Sequence, residues 1–396
     1  MQNNCITNLL DIQEVKVKEI KNNEILEVYL ETNPKLHKCP SCKRFTKRIH
    51  DYRIHKIQHF SIGNKRTYLY LNKRRYFCPH CGKKFYEDYN FVERYFRKSN
   101  ALFESVISDL KKVKNFKTVA QDNDISEPTV VRFLWYATFM NNNFSHTRLL
   151  PKHIGIDEFK GNCGGNKYLF HIYDLDTHET VDIVNGKSYD VLERYFSQIE
   201  NRQAVEIVSM DLCKLFKRIV KDKFPKADIV ADCFHFTRIV MNALDELRLN
   251  SWRKAKGHDK KYLRYLKNSL MKDISKATDK DAEKLLHAFD VSPILKYAYN
   301  LKNEFLNIKK ADTYEEKEKL FRKWLDNAEY STINEFKTCV ATLREWHEYI
   351  SNYFKYNISN GPIEGKNNLI KVIKRISFGF RNFNNFRNRI LILNLK

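Results

Sequence analysis

No stretch of the 396-residue sequence approaches twenty consecutive apolar residues, so no membrane-spanning helix is expected. The amino terminus, MQNNCITNLL, lacks the charged-then-apolar order of a secretion signal, and a cytoplasmic chain is expected. Disulfides are rare in that compartment, so the nine cysteines read as metal ligands or buried thiols. Acidic residues run short in two places. Between Lys35 and Lys84 fifteen Lys or Arg meet one acid, Asp51, and after Glu364 the remaining thirty-two residues hold none. Over the whole chain 71 Lys and Arg outnumber 48 Asp and Glu, a net charge of +23. That balance argues for a polyanionic partner such as DNA or RNA, and less strongly for an acidic membrane surface. A hydrophobic content of 42% supports packed cores, and the length predicts two to three domains.

Two Cys-x-x-Cys pairs are present, CPSC at Cys39 and Cys42 and CPHC at Cys78 and Cys81. Each can form a knuckle that offers two thiolates to one tetrahedral Zn²⁺, and neither has the βαβ setting of a redox pair. Strand-like alternation between them, notably RTYLYLNKRRYF with Arg74 and Arg75, reads as a zinc ribbon. Its basic residues would lie along a phosphate backbone or simply face water.

Residues 103–139 carry apolar positions at helical spacing, from Val106, Ile107 and Leu110 to Val130, Val131 and Leu134, interrupted by DNDIS. With Ser126 as a cap before Glu127-Pro128, this predicts a helix, a turn and a recognition helix whose Thr129 and Arg132 face outward. Helical hairpins with no nucleic-acid role also look like this.

From Pro151 the pattern changes. HIGIDEF, KYLFHIYDLDT and ETVDIVNG read as three strands, SYDVLERYFSQI as an amphipathic helix, AVEIVSMDLC as a strand, KLFKRIVKDKF as a helix and ADIVADCFHF as a strand. The order βββαβαβ is that of a ribonuclease H-like core, with the first strand beside the fourth. Asp157 and Asp211 would then leave adjacent strand ends together, and two such carboxylates repel unless a divalent cation neutralises them. Singly, each is an ordinary turn residue. Asp232 and His235 follow on the next strand as an accessory pair or as a satisfied helix start. Glu158, Asp174, Asp176 and Asp182 are expected to be solvated.

Residues 241–350 are helical and highly charged, an all-α insertion before SNGPIEGKNNLIKVIKR. If Gly361-Pro362 opens a helix, Glu364 sits in its first turn, where the helix dipole favours an acid by roughly 0.3–1 kcal/mol. Alternatively it is a third metal ligand among cations that hold phosphates: Lys366, Lys371, Lys374, Arg375 and Arg381.

Together the CPSC and CPHC pairs, FKTVAQDNDISEPTVVRFLW, IGIDEF, VSMDL, DCFH and above all SNGPIEGKNNLIKVIKRISFGFRNFNNFRNRIL make the chain resemble, nearly end to end, insertion-sequence transposases of the ISL-three family, in the DDE superfamily of ribonuclease H-like recombinases. The resemblance implies an α+β multidomain protein. Its parts would be a zinc ribbon module with N-terminal strands (1–98), a helix-turn-helix (99–150), a first core segment (151–240), the all-helical insertion (241–350) and a final core segment with the acid and a basic helix (351–396). It implies an acid triad of Asp157, Asp211 and Glu364 holding two Mg²⁺ or Mn²⁺ ions, one structural Zn²⁺, and DNA cleavage with strand transfer at terminal inverted repeats. A dimer or larger assembly on DNA, associated with the nucleoid and not with a membrane, is expected too. The paired glycines in KGNCGGNKY are expected to lengthen the first hairpin. Rival readings are an inactive DNA-binding regulator built on the same ribbon and helices, and a structure-selective nuclease that never joins ends.

Overall fold

A computed structural model describes residues 2–93, 96–140 and 149–394. The junction at 141–148, part of the expected 99–150 module, and Lys396, the last cation of the basic tail, lie outside the described residues. The chain divides into two compact units, residues 1–145 with 372–396, and residues 146–371. No helix among the described residues is long and apolar enough to cross a membrane.

In the first unit α1 (Gln2–Leu9) precedes β1 (Val15–Asn22), β2 (Leu26–Thr32), the short β3 (His37–Lys38) and β4 (Phe45–Thr46), the long hairpin β5 (Ile49–Ile62) and β6 (Lys65–Phe77), and β7 (Lys84–Tyr86). The sheet runs β1-β2-β6-β5 with β7 on the end of β6, while β3 and β4 pair separately. Alternation along β6 sends Leu69 and Leu71 inward, against Val28, Leu30 and Ile57.

Three helices follow, α2 (Asn100–Lys111), α3 (Phe116–Asp122) and α4 (Glu127–Met140). Ser99 and Asn115 cap the first two by accepting from Leu102 and Thr118 amides. The residues expected to form the first helix therefore make two. Val106, Leu110, Val119, Val130 and Leu134 form their shared core. Thr129, expected to face outward, is buried: its hydroxyl lies 3.0 Å from that of Ser126 and accepts from Arg132. Arg132 itself is exposed.

In the second unit β8 (His153–Cys163), β9 (Asn166–Asp174) and β10 (Thr180–Val184) form an antiparallel meander, then α5 (Tyr189–Ser197), β11 (Ile207–Met210), α6 (Lys214–Lys223) and β12 (Asp228–Ala231) follow. The strand order is β10-β9-β8-β11-β12, with β11 parallel to both β8 and β12. Gly164 and Gly165 form the tip of the first hairpin. Both take positive φ, +59° and +81°, and make a two-residue turn in which Cys163 pairs with Asn166. Asp182, expected in water, is buried and accepts from the Tyr195 hydroxyl.

Helices fill the rest: α7 (Cys233–Lys254), α8 (Gly257–Tyr265), α9 (Lys267–Met271), α10 (Asp279–Val291), α11 (Pro293–Ile308), α12 (Tyr314–Glu329), α13 (Asn334–Glu345), α14 (His347–Tyr356), α15 (Gly361–Ile376) and α16 (Phe383–Leu391). One apolar core runs from the sheet, through Ile156, Phe170 and Val208, into these helices at Phe305, Trp324 and Phe336. Helix α14 returns the chain to β12, where Asn352 donates to the Ile229 carbonyl. Asn357 then turns it in the left-handed region at φ +53°, leading into α15. The last turn of α15 and all of α16 belong to the first unit. There Ile392 joins the core of α2–α4, and buried Arg389 donates to the Lys112 carbonyl.

Candidate active site and metal centre

Parallel register places three acids in a row. Met210 pairs with Ile156 on one side and Ala231 on the other, so Asp157, Asp211 and Asp232 each follow at the same level on β8, β11 and β12. The Asp232 amide donates to the Met210 carbonyl, which holds that third level. The ligand atoms of Asp211, Asp232 and His235 come within 4.8 Å of one another. His235 Nε2 lies 2.8 Å from Asp211 Oδ1 and 3.9 Å from Asp232 Oδ2. His235 is thus satisfied by the second acid as well as sitting beside the third.

The electrostatics follow from burial. Asp157 is pushed up to about 7, first by its burial and then by the charge of Asp211, against the opposing pull of the Glu158 amide and His235. Burial also raises Asp232, despite His235 and the Asn360 amide. For His235, burial favours the neutral ring, but the hydrogen bond to Asp211 and the charges of Asp211 and Asp232 outweigh it and raise its pKa. Carboxylates crowded this way, with hard oxygen donors, have the chemistry of a divalent-cation site. Beside them opens a cavity of about 360 Å³, lined in part by Glu158, Lys187, Cys213 and Arg238.

Glu364 falls in the first turn of α15, as the Gly-Pro start required. It is exposed and its carboxylate is joined to no described residue, a position that suits the helix-dipole alternative, which needs no hydrogen bond. It stands outside the Asp211, Asp232 and His235 group. Two asparagines on the same side of the helix, at i−4 and i+3, tie its neighbourhood to the sheet. Asn360 donates to the Ile156 carbonyl at 3.5 Å and its amide to Asp232 at 3.3 Å. Asn367 donates to Asp157 Oδ2 at 2.6 Å. A side chain at Gly155 would meet Asn360 Oδ1 at 3.2 Å and Leu175 at 3.1 Å, so this strand position needs glycine for Asn360 to seat. Sequence reasoning missed both asparagines and His171. Their signal was the spacing from Glu364, and an inward-facing polar residue within LFHIYD.

Among the expected phosphate contacts, Lys371, Arg375 and Arg381 are exposed and Lys366 and Lys374 half-buried. Arg75 is half-buried, 3.5 Å from Asp51. Arg74 has no free surface: it is 2% exposed, donates to Thr32 and Glu31, and lies 3.8 Å from the equally buried Glu87. Enclosed by Thr32, Glu31 and Glu87, it serves as the counter-ion of a buried acid.

The four cysteine sulfurs converge, with Cys39 and Cys81 Sγ 3.6 Å apart and Cys42 and Cys78 Sγ 3.5 Å apart. Zn–S bonds of about 2.3 Å in a tetrahedron put sulfurs roughly 3.8 Å apart, so the donors fit zinc. The knuckles share one backbone plan. Lys43 and Gly82, each four residues after the first cysteine, take positive φ and donate to the Cys39 and Cys78 carbonyls.

A family model described as transposase matches residues 154–390, and one described as zinc-finger of transposase IS204/IS1001/IS1096/IS1165 matches residues 35–81. The chain is 23% identical over 362 residues to the transposase for insertion sequence element IS1001 of Bordetella parapertussis, covering 90% of this chain and 88% of that protein. It is 26% identical over 255 residues to the transposase for insertion sequence element IS1557 of Mycobacterium tuberculosis, covering 58% and 57%. A Lactococcus lactis protein named ATP-dependent protease is 35% identical over 126 residues, covering 32% and 38%. The one Gly-Lys-Ser run here, at Gly186, has Val181 where a nucleotide-binding loop needs its first glycine.

Proposed function

The chain belongs to the ISL-three family of transposases, and from that premise we propose that it cuts and joins DNA at the ends of an insertion element with Asp157, Asp211 and Glu364 as its metal-holding acids. The observation that carries this reading is Asp157, in the middle of β8 and not at the strand end the sequence suggested, standing level with Asp211 just past the end of parallel β11 and raised by burial and by that neighbour's charge. The strand order β10-β9-β8-β11-β12 supports a ribonuclease H-like core, in which a helix returning late in the chain supplies the third acid. Asn360 and Asn367 tie the start of that helix to Asp232 and Asp157, which supports an approach of Glu364 to the same acids.

Mg²⁺ or Mn²⁺, when bound, would supply a polarised attacking oxygen and charge stabilisation for the leaving one. The residues do the rest. Asp157 and Asp211, deprotonated, hold the cations. His235 keeps Asp211 oriented and shields it from Asp232 in the free protein. Lys366 and Lys371 bind phosphates next to the scissile bond, and Lys374, Arg375 and Arg381 bind phosphates of the same DNA. The Cys39, Cys42, Cys78 and Cys81 knuckles hold the structural zinc, and the ribbon with the α3–α4 helix-turn-helix reads the terminal inverted repeats, with Arg132 at its exposed face. Two ends have to be paired, which calls for a dimer or larger assembly in the nucleoid.

The test is cleavage of DNA carrying the element's own ends, in Mg²⁺, by the wild type and Glu364→Gln. Cleavage should fall on the order of 10³-fold, as losing about 4 kcal/mol of charge stabilisation dictates, with end binding unchanged. Equal cleavage by the two proteins removes Glu364 from the mechanism.

A further inference from the structure

Behind Asp157 lies a line of polar side chains that the apolar core has no use for. Asp157 and His171 are direct partners across the β8–β9 pair, so their side chains rise from one face of the sheet. His171 is fully buried, edge-on to Phe159 and Tyr173. Its Nδ1 lies 2.7 Å from Asn367 Oδ1, and its Nε2 lies 3.0 Å from the hydroxyl of Thr180, 2% exposed, on β10. Asn367, also 2% exposed, passes the line on to Asp157 Oδ2 at 2.6 Å.

Donor counting gives the line one direction. With Asp157 ionised, as holding a cation needs, Asn367 donates to it from Nδ2, which turns its Oδ1 to His171 and requires the proton on Nδ1. Nε2 is then an acceptor, and Thr180 donates to it. Burial holds the imidazole neutral, at about 4, in keeping with one ring proton. The other carboxylate oxygen, Oδ1, accepts from the Glu158 amide at 2.7 Å. Each Asp157 oxygen therefore has one partner fixed by the protein and a lone pair left over. Burying a histidine, an amide and a hydroxyl is costly unless every bond is made, and here the chain of bonds ends on one catalytic-side oxygen.

Resting on the reading of Asp157 as a metal-holding acid, we propose that His171 and Asn367, oriented by Thr180, are positioning residues that fix the Asp157 carboxylate and lock the helix bearing Glu364 onto it. Asn367 stands one turn beyond Glu364, so a single amide sets both the rotamer of the first acid and the height of the third. Partners of this kind change metal affinity or activity by roughly 10- to 100-fold when removed.

The experiment titrates Mn²⁺ into the full-length, zinc-loaded protein and follows the free ion by electron paramagnetic resonance, for the wild type, Asn367→Leu, Thr180→Val and Asp157→Asn. Asn367→Leu should weaken Mn²⁺ binding by roughly 10- to 100-fold, and Thr180→Val by a smaller factor in the same direction. The Mg²⁺ concentration giving half-maximal end cleavage should rise with them, whereas a merely structural loss would lower the rate without moving that midpoint. Wild-type Mn²⁺ affinity in Asn367→Leu, with binding lost in Asp157→Asn, overturns the positioning role and spares the reading of Asp157. Wild-type affinity in Asp157→Asn overturns both. Should Asn367→Leu fail to fold, Thr180→Val decides, and unchanged Mn²⁺ affinity there ends the proposal.

Discussion

The cysteine knuckles and the acid row are two ways of gathering sulfur or oxygen donors in one place. In the knuckles each pair of donors is three residues apart, and local hydrogen bonds, Cys39 amide to Arg44 carbonyl and Cys78 amide to Lys83 carbonyl, set their geometry. In the acid row the donors sit on strands that meet only after crossovers, and the helix of Glu364 arrives more than 120 residues after Asp232. The first kind of site depends on its ion to hold short pieces of chain together. The second depends on a large apolar core that exists without one. Ion removal should therefore affect them in opposite ways. Stripping zinc with a strong chelator, or Cys78→Ser, should unfold the ribbon, since structural zinc in small modules contributes on the order of 10 kcal/mol. Heat unfolding and zinc content should drop together and DNA-end binding be lost. Withdrawing Mg²⁺ alone should stop cleavage and lower the melting temperature of the zinc-loaded protein far less than zinc removal does, since a weakly held ion stabilises only by mass action. A protein whose melting temperature follows Mg²⁺ as steeply as zinc would erase the distinction.

Legibility follows the same division. The CPSC and CPHC spacings announce the knuckles outright, because the chemistry is local. That Asp157 and Asp211 stand side by side was legible only through the order of strands, since nothing in IGIDEF or VSMDL alone brings the two positions together. The supporting groups were not legible: His171 reads as one more strand position, and Asn360 and Asn367 as polar residues near a helix start, until the sheet register and the return of α15 bring them to the carboxylates. Basic residues misled in another way. Arg74 and Arg75 are adjacent in a strand, so they face opposite sides, and charge counting without the two-residue period assigns both to DNA. Only Arg75 keeps exposed surface.

That neighbouring pair gives the next test, at smaller magnitude. Arg74→Met strands Glu87, 2% exposed and otherwise bonded to Thr32 and the Arg74 amide. Leaving a buried charge uncompensated costs about 3–5 kcal/mol, which chemical denaturation would report as a lower midpoint, with the salt dependence of DNA binding unchanged in whatever remains folded. Arg75→Ala should do the reverse. Stability should hold, and the slope of log affinity against log salt should shrink by about 1, one phosphate contact fewer. Loss of a salt-slope unit from Arg74→Met would put it back at the DNA.

The smallest effect expected lies within the knuckles themselves. Lys43 at φ +62° and Gly82 at +69° occupy equivalent places, yet only one of them is glycine. A left-handed backbone costs a non-glycine residue roughly 1–2 kcal/mol. Glycine's extra freedom in the unfolded chain takes back about 0.4–1 kcal/mol. The difference favours Lys43→Gly by about 0.5–1 kcal/mol, visible as slower zinc loss to a competing chelator and a slightly higher melting temperature. Gly82→Ala supplies the mirror image. A Cβ at Gly82 meets nothing within 4 Å, so any loss of stability there comes from φ alone and not from a clash. If Gly82→Ala retains zinc as well as the wild type does, the left-handed position carries no strain, and the sulfurs with their ion, not the backbone, set the shape of both knuckles.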